Sequence, residues 1–199
     1  MSSLAPRSAL AGLAVPGRHG LAGAPGVVVS ERQGLALATV LARKGQEAAL
    51  GRRIEEMFGI ALPTTPRRVA ADATAFIWAG PGHWLAVVDS EEGHRFEARL
   101  REGLAGLASV SDQSDGRVII RISGAKARDV LAKGIPLDLH PRAFGPGHAA
   151  ATVAAHIGVQ IWQLDDTPTY EVAMFRGFAV SFWGWLMESS AEFGVTVEG

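Results

Sequence analysis

The chain has 199 residues, a formal net charge of −1 and no cysteine, and 48% of its residues are hydrophobic. This composition supplies a core for one medium or two small domains, and it excludes disulfides, thiolate nucleophiles and cysteine-ligated metals. The near balance of 19 basic and 20 acidic residues lacks the basic excess of nucleic-acid-binding proteins. No apolar run approaches the roughly 20 residues of a membrane helix. We therefore expect a cytoplasmic protein that binds neither nucleic acid nor membrane.

Residues 1–26 are interpreted as an extended N-terminal arm, because Gly and Pro recur too often there for regular structure. The same residues interrupt the apolar stretch that a signal peptide would need. The arm nevertheless carries the aliphatic residues Leu10, Leu13 and Val15. Two interpretations stay open, a frayed terminus and an arm that lies on a partner protein.

A first α+β module is predicted over residues 27–115, with the order β-α-β-β-α-β. The first helix is predicted over 45–58, where apolar residues recur at helical spacing, and Gly59 is suited to a left-handed C-cap. Ser90 is predicted to cap the second helix. The predicted strands cover residues 34–42, 73–79, 84–88 and 107–112. This element order is typical of the ferredoxin-like arrangement.

A second module is predicted over residues 116–199. Ser123 is predicted to cap a helix over 124–133, and a last helix over 177–193 is predicted to bury Phe178, Phe182 and Trp185. The predicted strands cover residues 117–122, 150–156, 159–164 and 169–175. The fold class is therefore α+β, built from two ferredoxin-like α/β sandwich modules.

Trp183 does not belong to the predicted buried stripe of the last helix. Gly184 beside it costs about 1 kcal/mol relative to Ala inside a helix, a cost that close packing against that face would offset. Trp183 is consequently assigned either to a well-packed core or to a protein interface, where Trp is enriched. Together with Leu10, Leu13 and Val15 it forms the set of candidate partner-interface residues.

The residues predict no catalytic, cofactor-binding or metal site in this chain. His140, His148 and His156 are spaced by eight, which does not fit the closer ligand pairs of metal sites. Nucleophile elbows and phosphate-binding glycine loops are absent from the sequence. The acidic pairs beginning at Asp112 and Asp165 fit turns, where Asp bonds its own backbone.

Two segments carry a resemblance to a known family. One is Asp112-Gln-Ser followed by the strand at 118–122 and by Ser123-Gly124-Ala125. The other runs from Tyr170-Glu-Val-Ala-Met-Phe to the Ser-Phe-Trp-Gly-Trp-Leu helix at 181–186. Their order resembles that of folate-binding aminomethyltransferase-like domains. With the apolar arm and the small size, the whole chain is similar to the gamma subunits of heterotetrameric sarcosine oxidases.

This resemblance implies a complex that oxidatively demethylates sarcosine to glycine, hydrogen peroxide and formaldehyde or 5,10-methylenetetrahydrofolate. It implies alpha, beta and delta subunits as partners, with FAD, FMN, NAD and zinc held by those subunits and tetrahydrofolate as co-substrate. The gamma subunit is then a structural subunit without a cofactor or catalytic residues of its own. The alternatives are the equivalent subunit of a related N-methyl amine or N-methylglutamate dehydrogenase complex, and a free-standing folate-binding protein.

The sequence departs from active aminomethyltransferases at one place. Those enzymes carry an acidic residue in a strand near the middle of the domain, where it contacts folate. The corresponding residues 158–162 here have Gln160 and no acid. A glutamine cannot supply the same charge, so the departure favours a scaffold that has lost this chemistry.

Overall fold

The computed structural model describes residues 7–199, so the first six residues of the predicted arm lie outside the described part. The strands in chain order are β1 (Gly17–His19), β2 (Val27–Glu31), β3 (Leu35–Ala42), β4 (Arg68–Ala71), β5 (Thr74–Gly80), β6 (His83–Asp89), β7 (Ala108–Asp112), β8 (Arg117–Ser123), β9 (Ala149–Ala154), β10 (Ile157–Asp165), β11 (Thr169–Phe175) and β12 (Val195–Glu198). The α-helices are α1 (Glu47–Phe58), α2 (Gly93–Gly103), α3 (Ala127–Leu131) and α4 (Ala179–Ser190).

One sheet has five strands in the order β4-β5-β6-β3-β7, and all of its pairings are antiparallel. Apart from the edge strand β4, the strand order is that of a ferredoxin-like sheet, with β3 and β6 in the middle. Helices α1 and α2 cover its outer face, where Ile54 and Leu100 pack with Phe76. The predicted α+β class is confirmed, and the sequence pattern missed β4.

The second sheet has seven strands in the order β1-β12-β2-β8-β11-β10-β9. Helices α3 and α4 cover its outer face, where Val130 and Phe182 pack with Val172. Strand β2 lies between β8 and β12, although residues 27–31 precede every strand of the other sheet. Val27 and Val29 are fully buried there, because β2 directs them into the core under α3 and α4. The seven-stranded sheet therefore includes β1 from the predicted arm and β2 from the predicted first module, beside the strands of the predicted second module.

The two sheets pack face to face, which gives four layers in the order helix, sheet, sheet, helix. Leu37, Ile77 and Leu85 of the five-stranded sheet meet Ile119 and Trp162 of the seven-stranded sheet. Side chains alternate between the two faces of a strand, so each strand serves a helix-facing core and this central layer. Because both faces are covered, β11 is buried at every position except Phe175, and β8 is buried at Val118–Ile120 and Ile122.

Helix α1 confirms its prediction, since Gly59 has φ of 66° and donates its backbone N–H to the carbonyl of Glu55. Ser90 does not cap α2, which begins at Gly93 without a side-chain cap. Ser90 instead has φ of 62° and donates its backbone N–H to Gly34. The alternative backbone bond holds it in the turn after β6, away from the helix.

The helix predicted over 124–133 is shortened to α3, and Ser123 ends strand β8. Gly124 has φ of +107°, which is not helical, and the backbone N–H of Lys126 donates to the carbonyl of Gly26. This link to the chain segment before β2 keeps residues 124–126 out of the helix. Phe178 also differs from the prediction, because it lies before α4 and is 49% exposed.

Candidate functional site

The central layer between the sheets contains one buried carboxylate, Glu171 on β11, which is 6% exposed. Its Oε1 accepts hydrogen bonds from Nε and Nη2 of Arg121, at 3.1 and 2.7 Å. Its Oε2 accepts a bond of 2.9 Å from the indole Nε1 of Trp162. The carboxylate is thus bound by donors on both oxygens, which is the condition under which a buried charge is tolerated.

Two further arginines lie around this carboxylate. Nε of Arg32 lies 3.6 Å from Oε1 of Glu171, and its Nη2 pairs with Asp89 at 2.7 Å. Burial lowers the pKa of Arg68, and the negative charge of Glu171 partly offsets that effect. The cluster therefore joins residues of both sheets by charge, with Glu171 at its centre. Within it Arg32 pairs with Asp89 and Glu171, which links the two sheets.

The acid that the resemblance places near Gln160 is replaced by a different arrangement. Gln160 is buried and donates from Nε2 to the backbone carbonyl of Trp78, at 3.0 Å, which links the two sheets. Trp162 pairs with Glu171 in the β10–β11 register. The carboxylate in this layer is therefore supplied by β11, and Arg121 and Trp162 bind both of its oxygens.

The Asp112-Gln-Ser114 segment forms the turn that joins β7 to β8. Oδ1 of Asp112 accepts from the backbone N–H of Ser114 at 2.9 Å and from its hydroxyl at 2.6 Å. The Oγ of Ser114 accepts from the backbone N–H of Leu37 at 3.0 Å, which fastens the turn to β3. Both side chains that carry the family resemblance thus have structural partners.

A cleft of about 690 Å³ opens beside this turn. Its lining has charges of both signs and includes Arg32, Glu91, Glu92, Asp112 and Arg117. Glu91 pairs with Arg99, and Glu92 pairs with Arg95. These carboxylates consequently lie in ion pairs or turn bonds, and the cleft has the character of a charged surface groove.

The predicted interface residues separate into two pairs. Leu10 is 1% exposed and Trp183 is 6% exposed, and both belong to the core under the seven-stranded sheet. For these two the interface assignment is corrected, because buried side chains offer no surface to a partner. Leu13 and Val15 are 47% and 54% exposed and stay candidates. The packing expected against Gly184 is absent, since its virtual Cβ has no heavy atom within 4 Å.

Within residues 7–199, no group of three or more His, Asp or Glu side chains is placed to hold a metal ion. His140 and His148 instead bond the loop that precedes β9, through the backbone N–H of Arg142 and the carbonyl of Ala143. Among the described helices, none is both long and apolar enough to cross a membrane.

A family model described as "Sarcosine oxidase, gamma subunit family" matches residues 44–192 of this chain. The chain belongs to the sarcosine oxidase gamma subunit family. A sarcosine oxidase subunit gamma from Arthrobacter sp. is 37% identical over 127 residues, which cover 62% of this chain and 60% of that relative. The chain thus matches less than two thirds of the relative's length.

Two solved structures extend the comparison to the fold. A chain of heterotetrameric sarcosine oxidase from Corynebacterium sp. U-96, in complex with pyrrole 2-carboxylate, is 27% identical with a TM-score of 0.80. The match covers 94% of this chain and 96% of that one. The glycine cleavage system aminomethyltransferase T from Bartonella henselae has a TM-score of 0.62 at 14% identity, over 86% of this chain and 47% of that chain. This gamma-family chain thus shares the fold of about half of that aminomethyltransferase.

The sequence pattern missed the role of Glu171. The residue stands in the quoted segment that begins at Tyr170, and a single acid within an apolar strand was the available signal. A charged residue in a strand with both faces covered needs a buried partner. That reasoning would have identified Glu171 and left its partners open, since Arg121 and Trp162 meet it only through the strand register.

Proposed function

We propose that this chain is the gamma subunit of a heterotetrameric sarcosine oxidase and that its role in the complex is structural. The complex would oxidatively demethylate sarcosine to glycine, hydrogen peroxide and formaldehyde or 5,10-methylenetetrahydrofolate. One observation carries the proposal. Nearly the whole chain superposes on a chain of the Corynebacterium oxidase, with a TM-score of 0.80 over 94% of its length.

The hydrogen bonds that the buried and turn carboxylates accept support a structural role. Glu171 is bound by Arg121 and Trp162, and Asp112 is bound within its own turn. A general acid or base needs a carboxylate that can reach a substrate and exchange a proton. Here Glu171 joins three neighbouring strands and Asp112 fixes its own turn, which suits a scaffold.

The proposed partners are the alpha, beta and delta subunits of the oxidase. We expect FAD, FMN, NAD and zinc to be held by those subunits and tetrahydrofolate to enter the reaction as co-substrate. The proposed location is the cytoplasm. Leu13 and Val15, which are both about half exposed, are proposed to contact a partner subunit, because exposed aliphatic side chains on one short segment favour docking.

The test is co-expression of the four subunits with an affinity tag on the beta subunit. We expect this chain to be retained in stoichiometric amount, and the complex to produce hydrogen peroxide from sarcosine. Omission of the chain should reduce the yield and thermal stability of the complex while the flavins of the remaining assembly are still reduced by sarcosine. Assembly of a fully stable alpha-beta-delta complex that ignores this chain contradicts the proposal.

Two controls distinguish the proposed function from the two alternative functions. The complex should prefer sarcosine to N-methylglutamate, because a preference for the latter indicates the related dehydrogenase. Calorimetric titration of the purified chain with tetrahydrofolate should give no heat of binding. A measurable heat would identify a folate-binding protein instead.

A further inference from the structure

A row of four residues crosses the seven-stranded sheet near one end. Arg117 of β8 pairs with Phe175 of β11, and Val153 of β9 pairs with Gly158 of β10. Strands β10 and β11 continue in one register, so the two pairs are neighbours. Val153, Gly158, Phe175 and Arg117 thus follow one another across four strands, and we name this set the Arg117 row.

The Arg117 row lies on the face that packs against the five-stranded sheet. Ile119 and Ala173, two positions from Arg117 and Phe175, belong to the layer between the sheets, and side chains two apart share a face. The row itself is incompletely covered, since Phe175 is 53% exposed and Val153 is 43% exposed. At this end the five-stranded sheet therefore leaves apolar side chains of the seven-stranded sheet exposed to solvent.

Gly158 makes a gap in the middle of the row. It is exposed, and a Cβ placed on it would have no heavy atom within 4 Å. The side chains of Val153 and Phe175 lie on either side of this gap. The row thus leaves open space at Gly158 between two exposed apolar side chains, and we name this space the notch.

Arg117 gives the notch a charge. Its guanidinium lies over the Phe175 ring, 4.5 Å from the ring centroid, and its Nε is buried without a hydrogen-bond partner among the described residues. Arg117 forms no ion pair within residues 7–199, and burial lowers its pKa. Of the carboxylates in the cleft that Arg117 also lines, Glu91 and Glu92 pair with other arginines and Asp112 bonds its own turn. A desolvated cation without an ion-pair partner is costly, so the site is complementary to a carboxylate.

We propose that the Arg117 row is the docking site for an apolar segment of another subunit of the oxidase, with an acidic residue next to its anchoring side chain. The anchoring side chain fills the gap at Gly158, and the carboxylate pairs with Arg117. Aromatic side chains and arginine are enriched at protein interfaces, and the row offers one of each in Phe175 and Arg117. This inference rests on the proposed function, since it needs an assembly in which the chain has partners.

Two variants test the notch, each with a matched control. Gly158→Leu fills the gap and is sterically permitted, and Gly51→Leu adds the same side chain at an open position of α1. Arg117→Met removes the charge and keeps most of the length, and Arg52→Met does so at an exposed position of α1. Each variant is co-expressed with the other three subunits and with an equal amount of differently tagged wild-type chain. The measured quantity is the ratio of variant to wild-type chain in the purified complex.

We expect Gly158→Leu and Arg117→Met to lower that ratio by about tenfold, the loss of one interface anchor. The controls should leave the ratio near one. Melting temperatures of the isolated chains should not fall for Arg117→Met, because Arg117 is desolvated and has no ion pair in the described chain. If Gly158→Leu melts well below its control, Arg117→Met decides the case.

The outcomes test the proposed function and the docking site separately. A wild-type chain that is absent from the purified complex overturns the proposed function and the docking site with it. A wild-type chain that is retained, with both row variants retained as well as their controls, overturns the docking site and leaves the proposed function standing.

Discussion

Replacement of Glu171 by Gln is the perturbation that tests the central layer most directly. Gln keeps the shape of the side chain and removes its charge. The amide keeps one acceptor oxygen, whereas the carboxylate accepts from Arg121 and from Trp162 on separate oxygens. One of these two donors then faces an amide NH₂ group. Arg32 also loses the nearby negative charge at 3.6 Å.

The magnitude follows from the burial of the two partners. Removal of one member of a buried ion pair costs about 3–5 kcal/mol. The side chain of Glu171 is 8% exposed, whereas that of Arg121 is 36% exposed and is partly solvated by water. The lower end applies, and we expect Glu171→Gln to reduce the free energy of unfolding by about 3 kcal/mol. For a chain of this size that is a fall of about 6–12 °C in melting temperature.

The assay is equilibrium urea unfolding of the purified chain, monitored by tryptophan fluorescence and by circular dichroism. Glu188→Gln, at an exposed position of α4, is the matched control and should change the free energy by less than about 0.5 kcal/mol. Arg121→Met completes a double-mutant cycle. The double variant should be more stable than the sum of the single losses predicts, by about 1–3 kcal/mol.

The reasoning is refuted by either of two results. A loss of less than about 1 kcal/mol for Glu171→Gln means that the carboxylate is solvated or neutral in the folded chain. Strictly additive single losses mean that Arg121 and Glu171 do not interact across the layer.

The remaining predictions concern a turn, two glycines and a histidine. Asp165→Ala should lower the free energy of unfolding by about 1–2 kcal/mol, because its Oδ1 accepts three hydrogen bonds of 2.6–3.1 Å from two threonines of the β10–β11 turn; Asp166→Ala is the control. Gly124→Ala should cost about 2 kcal/mol or more, since φ is +107° and the added Cβ would lie 2.5 Å from a backbone carbonyl oxygen. Gly184→Ala, in open space within α4, should instead add about 0.5–1 kcal/mol; urea unfolding measures both. Burial and a neighbouring positive charge lower the pKa of His83 below 6.5. The contribution of neutral His83 to stability is therefore complete above pH 6.5 and is lost as the pH decreases from 6.5 through the folded-state pKa. His83→Gln should flatten this slope in thermal melts between pH 5 and 7.

Three results would contradict these predictions. Equal losses for the two aspartate variants would remove the turn argument. A destabilising Gly184→Ala would mean that another element contacts that face of α4. An unchanged pH slope in His83→Gln would assign the acid sensitivity to other groups.

Local patterns in the sequence were sufficient for elements that depend on their own residues. Helix α1 was predicted from its apolar spacing and from Gly59, whose left-handed conformation is a property of the residue itself. The β5–β6 hairpin pairs the strands predicted over 73–79 and 84–88, which are separated by a local Gly-Pro-Gly-His segment. The fold class followed from the order of such elements. The assignment of Leu13 and Val15 to a partner interface stays a prediction.

Tertiary structure decided the elements whose partners are remote in the chain. Strand β12 has four residues and pairs in parallel with β2, 168 positions before it at the Val27–Val195 pair, so no local signal indicates it. Leu10 is buried because it packs into the core under α3 and α4, although the residues around it in the sequence predict an extended arm.

The helix over 124–133 was predicted because the local preferences of Ser123 and Gly124 fit a helix cap. A backbone bond from Lys126 to Gly26 takes precedence, because β2 brings that carbonyl to the start of α3. The sequence by itself determined helix α1 with its Gly59 cap, the α+β class and the family. Only the tertiary structure decided which charges meet in the central layer, because strand register, and no local preference, brings Glu171 to Arg121 and Trp162.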